Sequence, residues 1–198
     1  LEVNYMVQIT LPDNSVREHG GPVTGLAIAQ QISPRLAKDA LAIRVNGVLR
    51  DLTAPIETDA NIEIITTKND PQTSLELIRH SCAHVMAEAI CQLYPDAKLV
   101  YGPTVENGFY YDIDLDRPIS TDDFPAIEAK MAEIVAADKP FVRYELPLEE
   151  AMAKLRAEGN RYKIENAKHA KGDKISFYTT GQREAGSFED LCLGPHLP

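Results

Sequence analysis

Two histidines four residues apart, His80 and His84, are the first pair of side chains in this sequence that could do chemistry together. The apolar residues around them recur at helical spacing, so both imidazoles project from one side of a helix. The apolar stripe falls on a different side, and the histidines share theirs with small alanines. A lone helical histidine is more often structural, whereas two on one face turned away from the core predict the wall of a cleft.

A second pair with the same spacing, Cys192 and His196, lies in a turn-rich segment near the end of the sequence. The two pairs together supply three imidazoles and one thiol, the ligand types of a tetrahedral zinc site. The same groups also suit a metal-free hydrolytic site, in which imidazoles position a water and the thiol lines the pocket. On the residues alone both interpretations stay open.

Lysines are concentrated in one stretch of an otherwise acidic sequence. The stretch contains Arg161, Lys163, Lys168, Lys171 and Lys174, with Glu165 and Asp173 as its acids. Such a run could hold the end of an RNA by a few phosphates, and it could equally be a solvated loop.

Two adjacent tyrosines, Tyr110 and Tyr111, follow a predicted Asn-Gly turn. Aromatic residues at such a place would normally be assigned to the core. One of them could instead stack on an unpaired base or hydrogen-bond to a ribose.

The overall charge limits the partners that the chain can have. Its 198 residues include 30 acidic and 20 basic side chains, a net charge of -10, which argues against a general polyanion binder but not against local RNA contacts. No transmembrane segment or secretory signal is visible. Three cysteines cannot all pair, so a reducing, cytoplasmic setting fits best.

The elements that precede these residues predict a small mixed domain over residues 1–67, in the order ββαβββ. Strand alternation marks Val7–Leu11 and Leu41–Val45, and Asn46-Gly47 is a strong hairpin signal. A helical pattern begins after Thr24 and is stopped by Ser33-Pro34. Residues 68–72, which are polar and contain a proline, are the predicted linker.

The elements that must position the candidate residues lie in a second predicted domain, residues 73–198. A capping box at Thr73–Glu76 starts a helix that runs to about Tyr94. Two further helices are predicted over residues 122–138 and 147–158, and strands over residues 162–164 and 175–179. The stretch 190–196 is predicted as a loop because Gly-Pro breaks either periodicity.

Three motifs in this second domain carry a resemblance to a known family. His80-Ser81-Cys82-Ala83-His84, Gly102-Pro103 with Asn107–Asp112, and Asp190 through Cys192 to His196 resemble the editing domain of bacterial threonyl-tRNA synthetase. The ββαβββ unit before them is similar to the TGS domain, a β-grasp fold. Alanyl-tRNA synthetase editing domains share both His/Cys pairs, but the TGS-like neighbour favours the threonyl family.

The resemblance implies an α+β fold class: a β-grasp TGS domain followed by an α+β editing domain of the kind associated with class II synthetases. It also implies an N-terminal fragment of a threonine–tRNA ligase that hydrolyses mischarged seryl-tRNA(Thr). Such correction is needed because serine differs from threonine by one missing methyl. That methyl is worth only about 1–3 kcal/mol in a binding pocket, too little to keep serine out. ATP, magnesium and zinc would belong to the aminoacylation core, which lies outside this sequence.

The resemblance also assigns catalytic roles. His80 would position or activate the water, Lys163 would hold substrate oxygens or a second water, and His196 would act as acid or base toward the leaving ribose oxygen. Loss of Lys163 is therefore expected to lower the rate more than the stability.

Four further residues would bind the substrate. His84 and Cys192 would form the steric wall of the seryl pocket. Asp190 would accept the ammonium or hydroxyl group of serine, and Tyr111 would contact the terminal adenosine.

The partners implied are the acceptor end of tRNA(Thr) and its serine ester, with no membrane and with a homodimeric full-length parent. The family's editing site is usually taken to work without metal, so no cofactor is expected for hydrolysis. Two alternatives remain. One is a zinc-dependent deacylase with His80, His84, Cys192 and His196 as ligands, and the other is a non-catalytic module that binds RNA or a protein partner.

Overall fold

The computed structural model describes residues 5–170, 172–184 and 186–198. The chain forms two compact units, the first made of the residues up to Ile78 together with Gly194–Pro198, and the second of Arg79–Leu193. The sequence-predicted domain 1–67 starts at residues 1–4, which lie outside the described residues. The division between units falls a few residues after the predicted linker, and the last five residues join the first unit.

The first unit is a sheet with two helices. Its elements are β1 (Val7–Thr10), β2 (Val16–His19), β3 (Val23–Thr24), α1 (Gly25–Ile32), α2 (Pro34–Asp39), β4 (Ala40–Val45), β5 (Val48–Asp51), β6 (Pro55–Ile56) and β7 (Ala60–Thr66). The main sheet has the order β2-β1-β7-β4-β5, with β1 and β7 parallel and the other neighbours antiparallel. β3 and β6 form a separate short ribbon. The predicted order of strands and helix is confirmed, with α2, β3 and β6 added.

Alternating apolar side chains give this unit its core. Val7, Ile9, Ile28 and Ile43 are fully buried, as the strand and helix periodicities predict. The predicted hairpin is present between β4 and β5, where Asn46 and Gly47 both have positive φ. Positive φ at both central residues is the requirement of a type I′ turn, which explains the Asn-Gly pair.

Ser33 ends one helix and begins the next. Its backbone N–H donates to the Ala29 carbonyl at the end of α1, and its side chain accepts from Leu36 N at the start of α2. Pro34 occupies the first turn of α2, where its missing N–H costs nothing. The predicted stop at Ser33-Pro34 is therefore confirmed, but the chain turns at once into a second short helix.

The long helix α3 (Pro71–Leu93) starts earlier than the sequence predicted. The Asp70 carboxylate accepts hydrogen bonds from Thr73 N and Thr73 Oγ1, so Asp70 caps the helix and the predicted capping box at Thr73 is wrong. Arg44 binds the same carboxylate at 2.9 Å and, with Thr73, lowers the pKa of Asp70 to about 2.

The second unit contains the rest of α3 and a set of small sheets. Its elements are β8 (Lys98–Tyr101), β9 (Thr104–Val105), β10 (Gly108–Phe109), β11 (Asp112–Asp114), α4 (Phe124–Ala136), β12 (Phe141–Pro147), α5 (Leu148–Glu158), α6 (Arg161–Lys168), β13 (Lys174–Thr180) and β14 (Glu189–Leu191). The strands β12-β13-β14 form an antiparallel sheet, and β8 pairs with β11 and β9 with β10. Side chains of α5 and α6 pack on β13 in one apolar cluster. Among the described residues, no helix combines the length and apolar character that crossing a bilayer requires.

Two local predictions for this unit are wrong. Residues 162–164, predicted as a strand, lie in α6, because Asn160 caps the helix by accepting from Tyr162 N and Lys163 N. Asp190 and Leu191, predicted as loop, belong to β14, which pairs with β13. The helices predicted near residues 122–138 and 147–158 are present as α4 and α5.

Candidate active site

The face of α3 that carries the histidines is buried. His84 is 3% exposed and Ala83 and Ala87 are buried, whereas Leu75 and Ile78, assigned to the core-facing stripe, are 46% and 40% exposed. The predicted orientation away from the core is therefore wrong. Between Ser81 and Ile90 most side chains are buried, whichever face of the helix they lie on. Periodicity therefore cannot identify one inner face of the helix.

His84 lies edge-on to two phenylalanine rings of the same unit. Its ring centroid is 5.4 Å from that of Phe141 and 5.2 Å from that of Phe188, with interplanar angles of 90° and 81°. Burial lowers the pKa of His84 to about 4, since the charged form loses its hydration, and the nearby Asp190 opposes this only in part. The imidazole is therefore neutral at physiological pH.

His80 lies beside the predicted thiol. His80 Nε2 is 3.1 Å from Cys192 Sγ, which is hydrogen-bond distance for sulfur. The backbone of Cys192 is held on both sides by Ser176: Cys192 N donates to the Ser176 carbonyl at 3.2 Å, and Ser176 Oγ donates to the Cys192 carbonyl at 2.6 Å. This attachment to β13 fixes the thiol against the imidazole.

A buried ion pair joins two more of the predicted residues. Lys163 Nζ binds the Asp190 carboxylate, and the two residues are 7% and 5% exposed. Tyr111 donates its hydroxyl to the other carboxylate oxygen of Asp190. Lys163 Nζ also lies 3.5 Å from the Tyr111 hydroxyl, so the three side chains form one closed cluster.

Lys163 and Asp190 reach this cluster from different elements. Asn160 sets the first turn of α6, which carries Lys163, and its amide also donates to the Leu99 carbonyl at 3.0 Å. Asp190 extends from β14, opposite Tyr178 of β13. Since each partner is held by its own element, the pair is preorganised.

Tyr111 is fixed by the absence of a side chain at Gly102. A Cβ added to Gly102 would lie 2.3 Å from Tyr111 Cδ2, closer than any real contact. Burial and the neighbouring Asp190 raise the pKa of the Tyr111 phenol far above its usual value, so the hydroxyl remains a donor. The glycine of the Gly-Pro motif thus has a packing role that its sequence context did not indicate.

The arrangement supplies the parts that ester hydrolysis requires within one unit. His80 is an imidazole able to hold or deprotonate a water, and Lys163 is a cation in a low-dielectric setting. Asp190 and Tyr111 hold that cation, a role that the resemblance did not assign to them. Their predicted contacts with serine and adenosine stay predictions.

The basic stretch around Lys163 is largely paired with acids. Arg161 lies 3.7 Å from Asp114, Lys168 3.0 Å from Glu165, and Lys174 3.9 Å from Glu145. Lys171 lies outside the described residues. The stretch therefore presents less free positive charge than its composition suggests, and its role in holding RNA phosphates stays a prediction.

His196 belongs to the terminal segment grouped with the first unit. It is 1% exposed, and its backbone N–H donates to Asp51 Oδ1 at 2.9 Å. Its acid or base role stays a prediction, as does a zinc site that would use it with His80, His84 and Cys192.

A cleft of about 1110 Å³ opens on the second unit beside the ion pair. Its lining includes Lys163 and Asp190, together with Cys91, Phe188 and Arg183. Burial raises the pKa of the Cys91 thiol to about 11, so this cysteine is protonated and a poor nucleophile.

Four residues of the site were missed as functional candidates in the sequence: Phe141, Phe188, Asn160 and Gly102. An Asn just before a helical pattern is a recognisable cap signal. The two phenylalanines had no signal, because they meet His84 only in three dimensions.

Comparison with known proteins relates the chain to one domain family and one group of enzymes. The TGS domain family matches residues 7–66. The threonine–tRNA ligase of Desulfatibacillum aliphaticivorans is 49% identical over 193 residues, and that of Paramagnetospirillum magneticum is 47% identical over 194; each alignment covers 98% of this chain. That of Symbiobacterium thermophilum is 45% identical over 197 residues, 99% of the chain.

The chain spans 29–30% of the length of these relatives. The matched share, together with the TGS domain at the start of the chain, corresponds to the N-terminal part of the ligases. Over nearly its whole length the chain is therefore similar to the N-terminal part of bacterial threonine–tRNA ligases, and its fold is α+β with a β-grasp TGS domain.

Proposed function

We propose that the unit Arg79–Leu193 provides an editing site that hydrolyses the ester of seryl-tRNA(Thr). The observation that carries the proposal is the buried cluster of Lys163, Asp190 and Tyr111 in the same unit as the His80–Cys192 contact. Burying an ion pair is costly and is weak evidence of a purely stabilising role. The family supplies the substrate class, since its relatives are threonine–tRNA ligases.

The selectivity for serine follows from the size of the substrate. An aminoacylation pocket that fits threonine also admits serine, and one methyl gives it roughly 10- to 200-fold discrimination. A second site can reverse this ranking, because a rigid wall rejects the larger side chain. The neutral ring of His84 and the Cys192 thiol are the proposed wall.

The proposed reaction is the attack of water on the ester carbonyl. His80 holds the water and accepts its proton as the new C–O bond forms. The negative charge on the carbonyl oxygen is stabilised by Lys163, whose ammonium is held by Asp190 and Tyr111. The bond to the ribose oxygen then breaks, and that oxygen takes up the proton that His80 accepted from the water, which releases serine and tRNA with free terminal hydroxyls and returns His80 to its neutral form.

The proposed reaction also involves partners outside this chain. The acceptor end of tRNA(Thr) and its serine ester are the proposed partners, in the cytoplasm where translation proceeds. The proposed hydrolysis by these residues uses no cofactor, whereas ATP, magnesium and zinc would serve the aminoacylation core. A homodimeric parent is part of the same proposal.

The decisive experiment compares deacylation of seryl-tRNA(Thr) and threonyl-tRNA(Thr) by this chain, with and without chelator. We expect selective hydrolysis of the seryl ester that chelator does not change. The matched variant His80→Ala with His84→Ala, shown to be folded by circular dichroism, should lose that hydrolysis.

Other outcomes would identify the alternatives. Loss of the rate with chelator, together with stoichiometric zinc, would establish a zinc-dependent deacylase. Binding of tRNA without hydrolysis of either ester would contradict editing and favour a non-catalytic RNA-binding module.

A further inference from the structure

Two phenylalanines contact the ring of His84 from different segments of one sheet. Phe141 begins β12 and Phe188 immediately precedes β14. Their centroids are 5.4 Å and 5.2 Å from that of the imidazole, and both rings are nearly perpendicular to it. Edge-to-face contacts at this distance are the preferred geometry of aromatic pairs.

A single residue of β13 ties the two phenylalanines together. Thr180 is paired with Phe141 across the β12–β13 ladder. Thr180 N also donates to the Phe188 carbonyl at 3.0 Å. Both aromatic residues are therefore anchored through the backbone of the same residue, Thr180.

The charged side chains around His84 do not by themselves determine the plane of its ring. Asp190 favours a charged imidazole, while His80 and Lys163 disfavour it. These groups act through distance, whereas perpendicular ring contacts depend on the angle between ring planes. The two perpendicular phenylalanine contacts therefore help to set the orientation of the ring.

We propose that Phe141 and Phe188 are positioning residues that fix the imidazole plane of His84 and thereby set how strictly the site rejects the extra methyl group of threonine. This inference rests on the proposed editing function. Rejection of one methyl requires a wall that does not yield by even a fraction of an ångström, because a yielding wall admits the larger substrate. Neither phenylalanine needs to touch the reacting atoms.

The test measures the ratio of kcat/KM for seryl-tRNA(Thr) to that for threonyl-tRNA(Thr). Phe188→Leu and Phe141→Leu should each lower this ratio by at least about fivefold, mainly because hydrolysis of the threonyl ester rises. Phe188→Tyr, which keeps an aromatic ring at this position, should keep the ratio at its wild-type value. Phe177→Leu is the matched control, since Phe177 is buried in the same sheet but stacks on Tyr144.

A second measurement does not depend on catalysis. Nuclear relaxation of the labelled His84 ring should show a rigid imidazole in the wild type and in Phe188→Tyr, and a mobile one in both leucine variants. A ring that remains rigid in both leucine variants would overturn the positioning role.

A seryl-to-threonyl ratio within twofold of the wild type in both leucine variants would overturn the link to selectivity. A wild-type chain that hydrolyses neither ester would overturn the proposed function and that link together. The relaxation measurement would still decide the positioning role, so the two failures are distinguishable.

Discussion

The two units contain the same chemical grouping, one cation shared between two oxygen partners, in opposite surroundings. In the first unit, Arg44 binds Glu63 and Asp70 with about a quarter to two fifths of each side chain exposed. In the second, Lys163 meets Asp190 and Tyr111 with less than a tenth of either charged side chain exposed.

Water accounts for the difference between these groupings. The exposed grouping keeps its hydration and helps to fix the start of α3, so its contribution is local. The buried grouping has lost its hydration, and each charge depends on the other. Burial, rather than the presence of an ion pair, therefore distinguishes the candidate site from an ordinary surface contact.

The largest expected effect comes from removing the buried cation. Lys163→Met leaves Asp190 buried without its counter-charge and should lower the free energy of unfolding by about 3–5 kcal/mol. Lys163→Met combined with Asp190→Leu should recover most of that loss but no activity. Urea denaturation measures both.

The matched change in the first unit is Lys68→Met, whose partner Asp39 is on the surface. It should leave the unfolding midpoint unchanged. A Lys163→Met protein as stable as the wild type would contradict the buried pair. That result would instead support the expectation from the sequence that loss of Lys163 lowers the rate more than the stability.

The next largest effect is expected from lowering the pH, which should destabilise the second unit before the first. The pKa of His84 is lowered from 6.5 to about 4, so the unfolded chain binds more protons between these values. The contribution of neutral His84 to the free energy of unfolding is fully present above pH 6.5. It falls by up to about 3 kcal/mol as the pH drops toward 4.

In the first unit, the pKa of Asp70 is lowered from 3.8 to about 2, so its contribution is lost only between these lower values. Amide spectra recorded from pH 7 to 4 should therefore show signals of Arg79–Leu193 weakening first. In His84→Gln this order should disappear. Simultaneous loss of both sets in the wild type would contradict it.

A smaller effect is expected from adding one methyl beside Tyr111. Gly102→Ala forces the Tyr111 ring away from its position and should cost about 1–3 kcal/mol, with loss of deacylation. Gly20→Ala in the first unit is the control, because its Cβ would meet no atom within 4 Å. Equal thermal midpoints for both variants would show that the ring can move freely.

The smallest expected effect compares two helix caps. Asn160→Ala and Thr24→Ala each remove a side-chain cap and should each cost about 1 kcal/mol. Only Asn160→Ala should also lower the deacylation rate, since its helix carries Lys163. A rate unchanged by Asn160→Ala would show that Lys163 is positioned by its ion pair alone.

Sequence reasoning succeeded where local rules decide the structure. The alternation in β1 and β4 and the Asn46-Gly47 turn predicted the first unit because each signal depends on neighbouring residues. His80 and Cys192 were assigned to one candidate site from their residue types and from the family motifs, and the structure places them side by side although 112 positions separate them.

It failed where tertiary packing overrides periodicity. The inner face of α3 could not be predicted, because the helix buries small alanines and polar side chains as well as apolar ones. The Phe141 and Phe188 contacts with His84 and the Gly102–Tyr111 contact also depend on strands that meet only after folding.

The last residues of the sequence give the first unit an unusual order of assembly. Leu197 packs with Ala42, Ile65 and Leu77, although the 115 residues of Arg79–Leu193 lie between Ile78 and Gly194 in the sequence. A ribosome working at about 5–20 residues per second needs roughly 6–23 seconds to make that intervening stretch. The β-sheet can form as it emerges, but the patch of Ala42, Ile65 and Leu77 stays uncovered until Leu197 has been made, so the apolar packing of this unit is completed only after the whole second unit has been synthesised.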